Sequence, residues 1–269
     1  MSEATIDKQR VAESFSRAAT TYDQAAAFQR SAGNNLLARV PASLHASDIV
    51  DLGAGTGYFT RALSQRFSHP VAALDLAEGM LRFARQCAGP EHQWLHEHPR
   101  WVVADAEALP LRAASQDLIF SSLALQWCPD LGSALREARQ ALRPGGCLAF
   151  NTLIEGTLFE LQHAWQDVDG FVHVNRFMPA DELQAVLAGS GFHDWRCDVE
   201  THVLRYAQLS ELTRELKALG AHNINQGRPG GLTGRARLRA LTQAYEAFRQ
   251  PEGLPATYQV AQILMFKES

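Results

Sequence analysis

The sequence is poor in cysteine, and the few it has are badly spaced for any joint task. Cys87, Cys128, Cys147 and Cys197 are the only four in 269 residues, with no Cys-x-x-Cys pair among them. That spacing argues against a disulfide framework or a zinc site and fits reduced, mostly buried thiols of a cytoplasmic protein. No stretch approaches the roughly 18 uninterrupted apolar residues that a membrane helix needs. The opening MSEATIDKQRVAESF has no apolar core, so no secretion signal is expected. Neither sign of charge dominates: 25 Lys+Arg against 29 Asp+Glu leave a net −4, which argues against general nucleic-acid binding. Repeats and low-complexity tracts are missing, which excludes a solenoid. At 46% hydrophobic and 20% charged residues, the chain can bury a sizeable core and is not wholly disordered.

The pattern changes along the chain. Val11, Phe15, Ala18, Ala19 and Tyr22 recur at helical spacing, so residues 1–42 read as a helical segment closed by Pro41. Residues 43–152 alternate short apolar runs with amphipathic stretches. The runs are Ile49–Leu52, Val71–Leu74, Trp101–Ala104, Leu118–Phe120 and Cys147–Phe150. The stretches cover about Gly57–Phe67, Glu78–Cys87 and Leu131–Leu142. Buried strands alternating with helices predict an α/β fold with a doubly wound, mostly parallel, Rossmann-like sheet. Beyond residue 150 the spacing predicts a helix over Pro179–Ala188 and a strand over Asp194–Leu204. Helices near Ser210–Leu219 and Leu238–Arg249 and a final strand in TYQVAQILMF follow. Two helices between the last two strands predict a helical lid insertion over residues 205–250.

The densest signal is Val50-Asp51-Leu52-Gly53-Ala54-Gly55-Thr56-Gly57, which follows a strand and opens a helix. Its glycines allow a tight turn and close approach of a ligand to the backbone. A dinucleotide fingerprint would need a further glycine at position 58, which is Tyr58, and this disfavours a nicotinamide oxidoreductase. The acid at Asp51 suits a ligand carrying an ammonium group and no pyrophosphate. Asp75 closes the second strand, where a carboxylate can accept from both ribose hydroxyls, and Asp105 closes the third, placed for an adenine amino group beside the Ala106 N–H. Ammonium, ribose and adenine together describe S-adenosylmethionine.

Asp51–Gly57, Asp75 and Asp105 resemble the class I S-adenosylmethionine-dependent methyltransferases. The segments SFSRAATTYDQAAAFQ (14–29), SSLALQWC (121–128), LRPGG (142–146), FVHVN (171–175), GLTGRARL (231–238) and GLPATY (253–258) narrow the resemblance to one family. That family is the malonyl-[acyl-carrier protein] O-methyltransferases of biotin synthesis, and the likeness runs nearly end to end. It implies cofactor contacts at Gln29, Asp51, Gly53, Gly55, Gly57, Asp75, Leu76, Met80, Asp105, Ala106 and Ser122. It also implies a malonyl thioester, on acyl carrier protein or on coenzyme A, as the acceptor. Neither membrane nor nucleic acid is an expected partner.

Methyl transfer from a sulfonium to a carboxylate needs no strong base, because a carboxyl of pKa about 4 is already ionised at neutral pH. In keeping with this, the sequence has no G-x-S-x-G elbow. His92, His96 and His98 fall in a polar loop and read as solvated surface, so no metal is expected. Tyr22, Gln126 and Arg176 are the candidate catalytic residues, with Arg176 expected to pair with the acceptor carboxylate. Trp127, His173 and Asn175 are candidates to line the acceptor site. From Arg205 to Arg239 seven basic residues face two acidic ones, a net +5 that leaves −9 for the remainder. Arg205, Arg214, Lys217, Arg235, Arg237 and Arg239 are therefore expected to dock the acidic carrier protein. Two other readings are a methyltransferase for a quinone-like or other lipid-like acceptor and a non-catalytic regulator that binds the cofactor.

Overall fold

Seven strands form one sheet in the order β3-β2-β1-β4-β5-β7-β6 in the computed structural model, which describes residues 6–87, 100–221 and 234–268. His92, His96, His98 and Arg228 lie outside the described residues. The strands are β1 (Ile49–Leu52), β2 (Val71–Asp75), β3 (Arg100–Val103), β4 (Gln116–Ser122), β5 (Leu142–Leu153), β6 (Asp194–Tyr206) and β7 (Leu254–Phe266). β1 pairs in parallel with β2 on one side and β4 on the other, so the chain reverses its winding between them. Open α/β sheets bind ligands at such a switch point, beyond the carboxyl ends of the strands. β7 runs antiparallel to both β5 and β6.

The parallel centre is buried on both faces, which is why its strands read as continuous apolar runs. All four residues of β1 are buried. Ile49, Val71, Leu118 and Phe120 pack on one face against Leu36 of α2 (Ala27–Arg39) and Leu63 of α3 (Tyr58–Phe67). Val50, Leu52, Leu74 and Ile119 pack on the other, against Leu135 of α5 (Leu131–Ala141) and Leu187 of α7 (Ala180–Gly189). The Asp130 carboxylate starts α5 by accepting from the Ser133 N–H at 3.0 Å.

A second core lies past the carboxyl end of β5. Leu161 of α6 (Phe159–Gln166), Leu212 of α8 (Leu209–Ala218) and Leu241 and Tyr245 of α9 (Arg235–Glu246) pack with Tyr258 and Val260 of β7. The sequence predicts α8, α9 and the strands around them but misses α6. At eight residues α6 is short, and its Glu160, which reads as a solvent-facing position, is buried and accepts from the Thr257 hydroxyl at 2.5 Å.

Helix α1 (Lys8–Ala25) crosses the start of α4 (Glu78–Cys87) at close range. Gly79 permits the approach: its N–H donates to Ser16 Oγ at 3.1 Å, and a Cβ there would lie 2.6 Å from Ser16 Cβ and 2.9 Å from Ser16 Cα. Gly79→Ala is expected to force the helices apart and lower the unfolding free energy by about 1–3 kcal/mol, read by urea titration. Gly189→Ala, where an added methyl meets open space, should leave stability unchanged or slightly higher.

Candidate functional site

Two cavities adjoin at the carboxyl edge of the sheet. The smaller, of about 100 Å³, is lined by the glycine loop after β1, by Asp75 to Ala77 after β2, by Ala104 to Ala106 after β3 and by Ser122 to Leu125 after β4. Lys8, Val11, Ala12, Phe15 and Tyr22 of α1 cover it. The larger, of about 270 Å³, lies under α6 and α8 and the segment 173–177. Phe15, Tyr22, Leu123 and Trp127 line both cavities and form the wall between them.

The glycine loop is built for close approach. Gly53 has φ +78°, and its N–H donates to the Leu74 carbonyl at 2.7 Å. A side chain at Gly53 would collide with Cβ of Ala124, besides being strained in the left-handed region. Asp75 then fixes the two neighbouring turns. Its Oδ2 accepts from the Gly55 N–H at 2.8 Å and its Oδ1 from the Ala77 N–H at 2.7 Å. Burial pushes the Asp75 carboxyl above the usual carboxylate range, and these two N–H groups oppose the shift. Asp105 accepts from the Glu107 N–H at 3.0 Å and from Lys8 Nζ at 2.6 Å, while Lys8 also pairs with Glu107.

Of the expected cofactor residues, Gly53, Gly55, Asp75, Leu76, Met80, Asp105, Ala106 and Ser122 line the smaller cavity. Gln29 lines the larger one instead. Two do not line either cavity. Gly57, at φ +78°, is the residue from which α3 starts. Asp51 is turned away: its Oδ2 accepts from the Thr60 hydroxyl at 2.6 Å, so it ties β1 to the first turn of α3. The expected ammonium contact through the Asp51 side chain is thereby revised to an anchoring role.

Of the expected acceptor residues, Tyr22, Gln126, Trp127, His173 and Asn175 line the larger cavity. Arg176 does not: it is exposed and outside the lining, whereas Arg237, expected at the docking surface, is part of it. Arg205, Arg214, Lys217, Arg235 and Arg239 are exposed, and no acidic side chain among the described residues pairs with them.

Burial pushes the Tyr22 phenol above its ordinary range, and the charges of Asp75 and then Asp23 add to it. Tyr22 therefore stays protonated and can donate a hydrogen bond but not act as a base. Burial also raises the Cys128 thiol, which lines the smaller cavity, to about 12, so it is no nucleophile at neutral pH. Gln29 Oε1, Gln126 Oε1, Asn175 Oδ1 and Ser122 Oγ are buried without a hydrogen-bond partner. All four are open acceptors around the two cavities, which a bound molecule or water can satisfy.

Sequence reasoning missed Leu123, Phe15, Trp165 and Asp169. Leu123 has φ +50°, a strained conformation for a branched residue. The buried Asn151 holds it there, accepting from its N–H at 2.8 Å, while Gln126 Nε2 donates to its carbonyl at 2.7 Å. No local sequence signal marks that strain. Phe15 reads as helix core, and packs edge-on against Trp127 with ring centroids 5.3 Å apart.

The chain resembles known proteins at two levels. Residues 50–150 match the family described as a methyltransferase domain. A malonyl-[acyl-carrier protein] O-methyltransferase of Serratia marcescens is 42% identical over 264 residues, covering 98% of each chain. One of Hahella chejuensis is 43% identical, covering 95% of this chain and 89% of that one. A biotin biosynthesis bifunctional protein BioHC of Cellvibrio japonicus is 46% identical over 97% of this chain, which spans 51% of that longer protein. Among solved structures, the YcgJ protein of Bacillus subtilis has a TM-score of 0.61 at 19% identity, covering 89% of this chain and 99% of that one. A phosphoethanolamine N-methyltransferase 2 of Haemonchus contortus, in complex with S-adenosyl-L-methionine, has a TM-score of 0.57 at 14% identity. It covers 93% of this chain and 57% of that one, and like the first it shows a shared fold.

Asp51 makes stability depend on pH. Burial raises its carboxyl from 3.8 to about 7, against the opposing hydrogen bond from Thr60. The folded state thus holds the proton more tightly than the unfolded chain, so this group favours folding at low pH and its contribution is lost as pH rises to about 7 and above. Asp51→Asn keeps an acceptor for Thr60 and removes the buried charge. Its melting temperature relative to the unmodified protein is expected to rise between pH 5 and pH 8; a constant difference would place the Asp51 titration elsewhere.

Proposed function

The chain belongs to the malonyl-[acyl-carrier protein] O-methyltransferase family and is an S-adenosylmethionine-dependent methyltransferase, and from that premise we propose its reaction. It transfers the methyl group to the free carboxylate of a malonyl thioester carried by acyl carrier protein. The product is a malonyl methyl ester that primes pimeloyl synthesis on the way to biotin, in the cytoplasm.

The observation that carries this reading is the pair of adjoining cavities, one built like a nucleoside site and one largely apolar. The smaller cavity fits the cofactor. Its glycine loop admits a ligand against the backbone, Asp75 is set for the ribose hydroxyls, and Asp105, beside the Ala106 N–H, for the adenine edge. The unpartnered Ser122 oxygen is available to it as well. Bound there, the cofactor supplies an electrophilic methyl on a sulfonium centre. The rest is positioning: Phe15, Tyr22, Leu123 and Trp127 form the shared wall through which the two molecules must meet. An already ionised carboxylate needs orientation and a dry surrounding more than a base, and the protonated Tyr22 fits this demand. Gln126 and Asn175 offer amide groups to orient the acyl end, while Leu153, Leu158, Leu161 and Leu216 exclude water along its thioester arm.

The direct test incubates the protein with labelled S-adenosylmethionine and malonyl-loaded carrier protein and weighs the carrier by mass spectrometry. One added methyl, released as labelled methanol on alkaline hydrolysis, is expected. An unmodified carrier, or label that stays in the released diacid and so is on carbon, overturns the reading.

Arg214, Lys217, Arg235 and Arg239, exposed on α8 and α9, support docking of an acidic carrier. Electrostatic steering weakens as salt shortens the screening length. Reversing the charge of Arg235 and Arg239 together should lower the ratio of catalytic efficiencies, carrier-bound over carrier-free malonyl thioester, by roughly tenfold at low ionic strength. That loss should shrink at high salt, and a ratio insensitive to both salt and substitution removes this face from docking.

A further inference from the structure

The larger cavity is apolar over most of its surface, and Arg237, which lies beside Asp169, is the one Lys, Arg, Asp or Glu in its lining among the described residues. Trp165 at the end of α6 stacks on His173, with ring centroids 3.6 Å apart and planes 9° from parallel. His173 Nε2 lies 2.7 Å from Asp169 Oδ1, which also accepts from the Phe171 N–H at 3.0 Å. The second oxygen, Asp169 Oδ2, is buried and has no hydrogen-bond partner. Arg237 of α9 faces it: its Nε is 3.8 Å from Oδ2, near enough for attraction and too far for a hydrogen bond. The guanidinium carbon lies 5.7 Å from the centre of the Phe171 ring, which supports the group from the side.

The pair joins a mostly buried anion to a cation that is 44% exposed. Asp169 is 10% exposed and held by two other donors, and those donors and the nearby Arg237 charge keep its carboxyl below the usual carboxylate range. Arg237, by contrast, makes no hydrogen bond among the described residues and is the one guanidinium or ammonium lining the cavity. Among the described residues, a fixed anion with one unbonded oxygen thus stands beside a cation that makes no hydrogen bond. A second carboxylate entering the cavity meets a cation that is already attracted but not yet bonded.

We propose that Arg237 receives the acceptor's free carboxylate and that Asp169 is the resident counter-ion it leaves and returns to, so that the pair selects acyl thioesters bearing a carboxylate over uncharged ones. This deepens the reaction proposed above and rests on it. The chemistry favours a shared cation. Methylation neutralises the acceptor carboxylate, so an arginine bound to that group alone would stabilise the starting state more than the transition state and slow the transfer. A guanidinium divided between Asp169 and the acceptor recognises the carboxylate without fully quenching it. Once the ester has formed, Arg237 has only Asp169 left to pair with, and the uncharged product loses its hold. Asp169 is in this scheme a positioning residue, acting through Arg237.

Binding of malonyl-pantetheine and acetyl-pantetheine to the protein saturated with S-adenosylhomocysteine tests the proposal by calorimetry. These probes carry neither phosphate nor carrier protein, so docking and phosphate contacts drop out. The unmodified protein should bind the malonyl thioester about tenfold or more tightly than the acetyl one. Arg237→Gln should weaken malonyl binding by roughly that factor and leave acetyl binding within about twofold, so the preference collapses. Asp169→Asn, which frees the cation, should tighten malonyl binding while lowering the single-turnover rate with malonyl-loaded carrier, a split that mere loosening of the wall would not give. Equal weakening of both thioesters by Arg237→Gln, or an unchanged preference, overturns the proposal. If the unmodified protein methylates malonyl-loaded carrier yet Arg237→Gln keeps its preference, this inference alone fails. If no malonyl-loaded carrier is methylated, the underlying reaction fails first.

Discussion

Three polar ties hold helix α1 across the open ends of the first three strands, and both cavities depend on them. Lys8 reaches Asp105 beyond β3, Ser16 Oγ accepts from Gly79 beyond β2, and Asp23 accepts from the Thr56 hydroxyl at 2.6 Å beyond β1. A parallel sheet by itself offers only a crevice there, open to water. With α1 in place the crevice has a cover, and Phe15 and Tyr22 come down between the two ligand spaces. Each tie is a bond of modest net worth, of order 1 kcal/mol or somewhat more where a charge is involved. Their value lies in register: they fix which face of α1 turns inward, and with it where the shared wall stands.

The two cavities solve opposite problems with different materials. In the proposed reaction the smaller holds a polar, charged molecule, and the carboxylates in its lining, Asp75 and Asp105, are each fixed by backbone N–H groups. In that proposal the larger brings a carboxylate and a sulfonium together where water is scarce, and leucines and aromatics make up most of its lining. The neutral Tyr22 and the strained Leu123 sit where these environments meet. Strain at Leu123 persists because the buried Asn151 fixes its N–H and is itself fixed, its Nδ2 donating to the Ala32 carbonyl at 3.0 Å.

How far the sequence disclosed this arrangement depended on whether the signal was local. The parallel sheet, Asp75 and Asp105 were legible because an acid closing an apolar run lies at a strand end whatever packs nearby. Asp51 belonged to the same pattern, yet its side chain turns to Thr60, nine residues further on in the first turn of α3; orientation within a loop is decided by the helix that docks beside it. Helix α6 escaped notice because its buried acid broke the polar-outside pattern. That Arg237 and not Arg176 lines the larger cavity was hidden for a deeper reason. Both are exposed arginines in unremarkable segments, and only tertiary folding brings α9 beside Asp169 and puts Arg237 in the cavity lining.

The position of β7 bears on how the protein is made. β7 comes last along the chain, yet it lies between β5 and β6, pairs with β6 along all thirteen residues and is buried for nearly its whole length. β6 has no other strand to join, so it waits without a partner while α8 and α9 are being synthesised. On the ribosome, the nucleoside half of the molecule can assemble from residues emerging first, whereas the acyl half stays open until residue 266 has been added. During that interval the apolar inner edge of β5 is exposed. Residues such as Ile263 and Met265 must therefore reach it faster than a neighbouring nascent chain does, which ties the yield of folded enzyme to the speed of one late hairpin closure.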